Sequence, residues 1–286
     1  MIRLLIPLAG VILLSPDSLL IRLAGDDIFT IAFIRAFAVA CWGLGYWLVR
    51  YRKDLRTPLR NLPLAALLVG CLIGLGNLSF VYAISMTTVA NVLLTISIMP
   101  VLACICGIWI IKEFPSTATW ICTMVIMIGL GTLAFDSLRY ASDFFGIALS
   151  FGVALNMAIG MSVIRRYQNF DVIIIIGLAS FVVSLLMAPF VDLASLEIGT
   201  MVPLAIGFAV SVGAGGGLIS IAARYVAVPI VGITLLLEAI LAPLLVWAVF
   251  AEIPSTTTVI CGVVIMSTMV VFFACEYRTS KSPKAT

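Results

Sequence analysis

The stretch EFPSTATWICTMVIM (113–127) occurs a second time, with ten of fifteen positions identical, as EIPSTTTVICGVVIM (252–266). Every aligned pair is separated by 139 residues, and the same offset joins further identical residues toward the N-terminus. These further pairs are Gly74 with Gly213, Gly76 with Gly215, Ala83 with Ala222, and Thr95 with Thr234. Self-similarity at one fixed offset indicates that the chain consists of two related halves.

Composition predicts that both halves lie in a lipid bilayer. Hydrophobic residues make up 63% of the 286 and charged residues 10%, with a mean hydropathy of +1.27. An average soluble domain carries about 25% charged residues, whereas a membrane-spanning helix needs roughly 20 mostly apolar ones. We therefore predict an all-α integral membrane protein with ten spans: 3–24, 28–49, 62–84, 87–111, 117–135, 144–165, 172–192, 201–222, 227–250 and 256–275.

Lysine and arginine residues collect on one side of the predicted bilayer. Thirteen of the sixteen fall on the side that also carries both termini, whereas Arg22 and Arg139 fall on the other side and Arg35 lies within the second span. Cytoplasmic loops carry such an excess of positive charge. We therefore expect both termini in the cytoplasm and a multi-pass protein of the cell inner (plasma) membrane.

The number of spans in each half has a structural consequence. We place the halves at 1–138 and 139–286, with five predicted spans in each. Because five is odd, the second half enters the bilayer from the opposite side, which makes an inverted-topology repeat within one membrane domain. Transporters use such repeats to alternate between inward-open and outward-open states; a duplication retained only for folding is the alternative.

The chain lacks residues that several other functional classes require. It has no histidine, its seven cysteines all fall in predicted spans, and it contains no G-x-S-x-G, H-E-x-x-H or P-loop motif. We therefore expect no metal, no cofactor, no nucleic-acid partner and no enzymatic activity. A membrane-embedded lipid-modifying enzyme would need paired polar catalytic groups near one interface, which the sequence does not offer.

Three short motifs add a family resemblance. FIRAFAVA (33–40) lies in the second predicted span, LLLEAILAPLL (235–245) lies in the ninth, and a glutamate closes both IKE (111–113) and FAE (250–252). In this order they resemble the EamA branch of the drug/metabolite transporter superfamily. The resemblance implies a secondary transporter whose substrate cavity lies between the first four helices of each half. Many members carry Trp-Gly where this chain has LSPD (14–17), so the resemblance does not identify the substrate.

Two ionisable residues face each other across the first short connection. Asp17 and Arg35 both lie about 10 Å inside the outer ends of the first two predicted spans. Each charge at such depth costs roughly 2.5–3.5 kcal/mol on insertion scales. We predict a buried Asp17–Arg35 ion pair, which either holds the helices together or contacts the substrate.

Glu238 lies about 15 Å inside the ninth predicted span, near the bilayer midplane. Its counterpart at the 139-residue offset is Met99, so the repeat supplies no second carboxylate. Desolvation favours the neutral form of a carboxyl group, and hydration favours the ionised form. Glu238 is therefore our candidate for proton coupling; a protonated side chain hydrogen-bonded between helices is the alternative.

Further residues complete the predicted site. Asparagines within spans, which we expect to line the substrate cavity with Asp17, Arg35 and Glu238, are Asn77, Asn91 and Asn156. Expected structural or gating residues are the helix-kinking Pro100 and Pro243, the small Gly213 and Gly215, and the span-ending Glu113 and Glu252. Ser116 and Ser255 are expected to cap the helices that follow these glutamates.

Together these features predict a transporter that exports a small polar or amphipathic metabolite, such as an amino acid, with protons as a coupling ion. Import of a small metabolite or an organic cation is the alternative within transport. The expected partners are the substrate and the lipid bilayer, and the protein is expected to be a monomer or a homodimer.

Reporter fusions test the predicted topology. Reporters at the C-terminus and in the 50–60 loop should both show a cytoplasmic location, because both segments are rich in positive charge. A reporter near Asp143 should show the opposite side, as measured with enzymes that are active on only one side of the membrane. An external C-terminus would contradict both the ten-span count and the inverted repeat.

Overall fold

The computed structural model describes residues 2–25, 27–60, 62–125, 144–191 and 197–251, together with the single residues 128, 260, 263, 264, 267, 268 and 271. Every regular element in this part of the chain is helical, which confirms the all-α class. Eight helices there are long and apolar enough to cross a membrane: Leu5–Leu23, Ile28–Arg50, Leu64–Met86, Val89–Ile111, Phe144–Arg166, Val172–Phe190, Gly199–Tyr225 and Val228–Phe250. The predicted fifth span begins as a helix at residues 117–125; its remainder and most of the predicted tenth span lie outside the described residues.

Several spans are built from more than one helix. In chain order the helices are α1 (Ile2–Leu14), α2 (Asp17–Leu23), α3 (Ile28–Arg50), α4 (Leu64–Met86), α5 (Val89–Ile96), α6 (Met99–Cys106), α7 (described over residues 117–125), α8 (Phe144–Arg166), α9 (Val172–Met187), α10 (Ile198–Phe208), α11 (Gly216–Tyr225), α12 (Val228–Leu235) and α13 (Glu238–Phe250). Single π-helical turns at Gly107–Ile111 and Ala209–Gly215 extend α6 and join α10 to α11.

The first span is interrupted between α1 and α2. The Ser15 hydroxyl donates to the Val11 carbonyl at 2.8 Å, and Pro16 supplies no N–H for the helical ladder. The helix restarts at Asp17, whose side chain is 1% exposed. The interruption therefore places a buried carboxylate in the first turn of α2.

The fourth and ninth spans are interrupted at equivalent positions. α5 ends at Ile96 and α12 ends at Leu235, which are 139 residues apart. α6 begins at Met99 and α13 begins at Glu238, again 139 residues apart. The repeat found in the sequence therefore coincides with a repeat in local structure.

The same tight turn forms both interruptions. The Ile98 N–H donates to the Thr95 carbonyl at 3.2 Å, and the Leu237 N–H donates to the Thr234 carbonyl at 3.1 Å. Both bonds span three residues and tighten the helix locally. The hydroxyls of Thr95 and Thr234 each donate to the carbonyl four residues earlier, at 2.8 Å and 2.9 Å, and such bonds bend helices.

The two prolines relate differently to these interruptions. Pro100 is the second residue of α6, so it directly follows the turn in the fourth span. Pro243 lies inside α13, whereas the ninth span is interrupted earlier, at residues 236–237. The interruption of the ninth span therefore follows the turn that begins at Thr234 and precedes Pro243; the kink expected at Pro243 itself stays a prediction.

A left-handed residue ends each of these spans. Lys112 has φ 64° and Ala251 has φ 55°, and they are the non-glycine residues with positive φ in the described part of the chain. They are 139 residues apart and each directly precedes a glutamate, Glu113 or Glu252. A left-handed residue is a common way to end a helix, so the repeated phrase begins at the same helix end in both halves.

The main helix contacts connect the two halves of the chain. α3 packs on α9, α4 on α8, α1 on α11, and α6 on α12. Exchanging the halves turns the α3–α9 contact into itself, α4–α8 into α1–α11, and α6–α12 into α5–α13, which are also in contact. At the α3–α9 contact, a Cβ added to Gly43 would lie 2.5 Å from the Gly177 Cα, so these backbones touch as in other membrane helix pairs with small residues.

Replacing Gly43 tests this close contact. Gly43→Ala should destabilise the protein by about 1–3 kcal/mol, because the backbones must separate to admit the methyl group. Gly45→Ala is the matched control on the same helix, since a Cβ there meets nothing within 4 Å and alanine favours helix by up to about 1 kcal/mol. Thermal unfolding in detergent measures both; equal melting temperatures would contradict the contact.

Candidate functional site

A cavity of about 180 Å³ lies between helices of both halves. Most of its wall is apolar. Its polar and charged lining residues are Asp17, Arg35, Asn77, Asn156 and Glu238, together with Ser97 and Ser220. The structure therefore brings five of the six predicted substrate-contacting residues to one cavity.

Asp17 and Arg35 form the predicted ion pair. The Arg35 Nε donates to the Asp17 Oδ1 at 3.0 Å, and an Arg35 terminal nitrogen donates to Oδ2 at 2.8 Å. Asp17 is 1% exposed and Arg35 is 5% exposed. The planar guanidinium fork matches the carboxylate in two parallel bonds, so the prediction of a buried pair is confirmed.

Arg35 has two further partners in the cavity wall. Its other terminal nitrogen donates to the Asn77 Oδ1 at 3.0 Å, and its guanidinium carbon lies 5.5 Å from the centre of the Phe80 ring. All three nitrogens of Arg35 therefore donate hydrogen bonds, and an aromatic face covers the charge. Asp17, Arg35 and Asn77 tie the first three spans together as one unit.

Glu238 presents a different electrostatic situation in the same cavity. It is 7% exposed and lines the cavity as the first residue of α13. No described residue makes a hydrogen bond to its carboxyl group, and the charges that act on it are those of Asp17 and Arg35. The expected alternative of an interhelical hydrogen bond is therefore not found within the described residues.

Helix geometry favours negative charge at the Glu238 position. The tight turn at residues 236–237 starts a new helical segment, so the positive end of the α13 dipole lies close to this side chain. Burial acts in the opposite direction, because it disfavours an ionised carboxylate. Helix geometry and burial therefore act in opposite directions on the charge of the Glu238 carboxyl group.

Asn91 lies outside the cavity. Its side-chain nitrogen donates to the Thr87 hydroxyl at 3.1 Å, and its backbone N–H donates to the Thr88 hydroxyl at 3.2 Å. Thr88 is the N-cap of α5, so Asn91 lies in the first turn of that helix. The expectation that it lines the cavity is wrong, because the residue lies too close to the helix end to reach it.

The predicted small-residue positions allow close packing beside the cavity. A Cβ on Gly215 would lie 2.8 Å from the Leu14 nitrogen and 2.9 Å from the Gly10 carbonyl oxygen, both in α1. A Cβ on Gly213 would lie 3.0 Å from the Trp42 ring. The π-helical turn therefore contacts the backbone of the first span directly.

The predicted structural glutamate Glu113 lies at the far end of the fourth span. It pairs with Arg165 through two hydrogen bonds of 2.9 Å. Ser116 accepts a hydrogen bond from the Thr119 N–H at 3.2 Å, which confirms its role as a helix cap. Glu252 and Ser255 lie outside the described residues.

Two residues that line the cavity, Ser97 and Ser220, were not predicted from the sequence. Ser97 lies at the tight turn of the fourth span, where its hydroxyl donates to the Leu93 carbonyl at 2.8 Å. Ser220 lies in α11. Serine is common inside membrane helices, so only the position of Ser97 just before the Pro100 interruption offers a clue.

Residues 5–135 match the sequence model of the EamA-like transporter family. A crystal structure of a protein resembles this fold with a TM-score of 0.74 and 16% sequence identity, over 96% of this chain and 98% of the other. At that identity the likeness shows the fold alone. A search of curated proteins found no match.

A double-mutant cycle tests the energetic role of the buried pair. Asp17→Ala and Arg35→Ala should each destabilise the protein by about 3–5 kcal/mol, because each leaves an uncompensated buried charge. The double variant should lose less than the sum. Arg50→Ala, at the exposed end of the same helix, is the control and should lie near wild type. Additive losses in thermal unfolding would mean that the pair contributes no coupling energy.

Proposed function

We propose that this chain, whose residues 5–135 match the model of the EamA-like transporter family, is a secondary active transporter that exports a small amphipathic metabolite bearing an amine, such as an amino acid. Members of this family are transporters rather than enzymes. Transport proceeds by alternating access in the plasma membrane and is coupled to protons through Glu238.

The unpaired Glu238 carboxyl group in the cavity is the observation that carries this proposal. Asp17 and Arg35 neutralise each other, so this pair needs no additional charged partner. Glu238 faces the cavity with no hydrogen-bond partner among the described residues. A buried carboxylate of this kind needs either a proton or a cationic group, and an ammonium group in the cavity supplies the second.

The size and the walls of the cavity favour a small substrate. Its volume of about 180 Å³ lies below the roughly 300–1,000 Å³ that is typical for drug-sized ligands. Apolar side chains from both halves surround the polar residues. An amine head near Glu238 and a short hydrocarbon part against the apolar wall fit these dimensions.

The repeated local structure supports alternating access. The interruptions of the fourth and ninth spans, their tight turns and their left-handed ends all recur at the 139-residue offset. The main contacts between helices also map onto themselves when the halves are exchanged. An inverted repeat with these properties offers two equivalent conformations, one open to each side.

Competition for Glu238 couples the two fluxes. A proton and an ammonium group cannot neutralise the same carboxylate at the same time. Each return of the empty transporter therefore carries a proton in the direction opposite to the substrate. With protons more concentrated outside, this exchange drives export.

An organic cation without a carboxylate is a second candidate substrate. Asp17 and Asn77 together engage three of the five N–H donors of Arg35, and Asp17 already neutralises its charge, so Arg35 attracts a substrate carboxylate less than an unpaired arginine would. Thermal stabilisation of the purified protein by matched amines and amino acids distinguishes the two classes, because a ligand that binds the folded state raises its apparent stability. Stabilisation by neither class would contradict an amine-bearing substrate.

The Glu238→Gln variant tests proton coupling. Glutamine has almost the same volume and stays neutral, so accumulation driven by a pH gradient in liposomes should be lost. Exchange of substrate for substrate should persist at raised substrate concentration, because the amide oxygen still accepts a hydrogen bond from an ammonium group.

Two observations complete this test. Glu197→Gln removes an exposed carboxylate outside the cavity and should transport as wild type does. If the Glu238→Gln variant concentrates substrate under a proton gradient as efficiently as wild type, Glu238 is structural and the coupling mechanism is wrong.

A further inference from the structure

One arginine side chain joins three spans at their predicted cytoplasmic ends. Arg165, in the last turn of α8, donates from Nε and one terminal nitrogen to the two oxygens of Glu113, both at 2.9 Å. Its other terminal nitrogen donates to the Val226 carbonyl at 3.0 Å. Glu113 follows the fourth span and Val226 lies between the eighth and ninth, so the contact joins these segments at one end of the bundle.

A related contact occurs at the opposite end of the bundle. Arg22, in the last turn of α2, donates from a terminal nitrogen to the Thr87 carbonyl at 3.4 Å. Thr87 precedes Val226 by 139 residues, and the dipeptide Ile21-Arg22 recurs as Ile164-Arg165. The arginine-to-carbonyl contact of one half is therefore present in the other half as well.

The two contacts differ in completeness. Arg165 engages a carboxylate through a bidentate pair, whereas the Nε of Arg22 is buried and has no hydrogen-bond partner among the described residues. Glu113 corresponds at the 139-residue offset to Glu252, which lies outside the described residues. One end of the bundle thus carries an arginine whose three nitrogens all donate hydrogen bonds, and the other end carries an arginine whose Nε donates to no described residue.

The exposure of the ion pair makes it suitable for reversible contact. The Arg165 side chain is 19% exposed and the Glu113 side chain is 47% exposed, so water can replace their hydrogen bonds when the helices separate. The Asp17–Arg35 pair is nearly inaccessible by comparison and would leave unpaired charges if broken. The two ion pairs are therefore suited to different tasks, one permanent and one breakable.

We propose that Arg165, Glu113 and the Val226 carbonyl form a cytoplasmic clamp that holds this end closed in the present conformation, and that Arg22 and the Thr87 carbonyl belong to the corresponding outer clamp. The inference rests on the proposed transport function, because alternating access requires the two ends to open in turn. Breaking the cytoplasmic clamp then favours the inward-open state, and weakening the outer contact favours a state that is open on the outer side with the cytoplasmic clamp intact.

Neighbouring bonds place the clamp within a wider closed face. Arg166 donates to the Ile110 carbonyl, and Arg224 donates to the Phe170 carbonyl. Both bonds cross between spans at the same end as Arg165. Arg165 differs from these two arginines because it alone of the three makes an ion pair with a described carboxylate, which makes it the specific point to remove.

Amide hydrogen exchange on the purified, lipid-reconstituted protein tests the clamp without any substrate. Arg165→Ala should raise exchange in residues 107–116 and 222–230 by about fivefold, the upper range for a partly exposed ion pair. Exchange in residues 18–25 and 84–92, at the other end, should stay equal or fall. Arg60→Ala removes an exposed positive charge from the same predicted side and should change neither region.

Additional variants separate the clamp from general destabilisation. Glu113→Gln should raise exchange at the same end, and combining it with Arg165→Ala should add little, because both remove one interaction. Arg165→Lys keeps the charge but loses the planar fork, so it should give a smaller rise in exchange than Arg165→Ala. It replaces the alanine variant in this test if that variant folds poorly. Arg22→Ala should not raise exchange at the cytoplasmic end.

Three results would overturn the clamp: no rise with Arg165→Ala, an equal rise at both ends, or a rise at the cytoplasmic end with Arg22→Ala. Failure of the transport proposal gives a different pattern. A response confined to one end, in a protein that transports no tested amine, contradicts the substrate class alone. Active transport without that response contradicts the clamp alone.

Discussion

The bilayer offers no water to the backbone, so every amide and carbonyl inside it must find a partner within the protein. This constraint favours helix in the described part of the chain and restricts irregular backbone inside the bilayer to places that protein or a cavity surrounds. The described spans follow it closely. Three of their interruptions, at Ser15–Pro16, at residues 97–98 and at residues 236–237, border the cavity of the candidate site through lining residues such as Leu14, Ser97 and Leu236. Departures from helix thus coincide with the candidate site.

The charged groups that line the cavity, Arg35 and Glu238 among them, differ in how many hydrogen bonds they make. Arg35 has hydrogen bonds from all its nitrogens, and it fixes Asp17 and Asn77 in the process. Glu238 has burial without a hydrogen-bond partner in the described part of the chain. The first arrangement gives rigidity to the wall, and the second leaves one buried ionisable group without a bonded partner in the described residues, which is why we propose it as the group that responds to substrate and protons. A transporter needs both properties side by side.

Much of this arrangement could be predicted from the sequence alone, because a lipid environment requires long apolar spans and paired buried charges. Length and hydropathy located the eight described spans, and the cost of burying charge brought Asp17 and Arg35 together. Features that depend on which helices pack together could not be predicted from the sequence. Examples are the Gly43–Gly177 contact and the position of Ser220 in the cavity wall, which follow from packing between the halves. The cavity position predicted for Asn91 was wrong because a polar residue within a predicted span can instead form its hydrogen bonds at a helix end. The helix tightening before Glu238 follows a threonine hydrogen bond, which no proline pattern indicates.

Contacts between the halves also affect how the chain is made. The most extensive contacts of α1, α3, α4 and α6 are with helices after residue 144. The first half therefore lacks these partners until the second half has been synthesised. During that time lipid surrounds faces that will later be buried. The Asp17, Arg35 and Asn77 cluster needs only the first three spans, and its charges are matched before the partners arrive. The early pairing lowers the cost of placing these charges in the bilayer, whereas Glu238 belongs to the ninth span and is synthesised after the other spans that line the cavity.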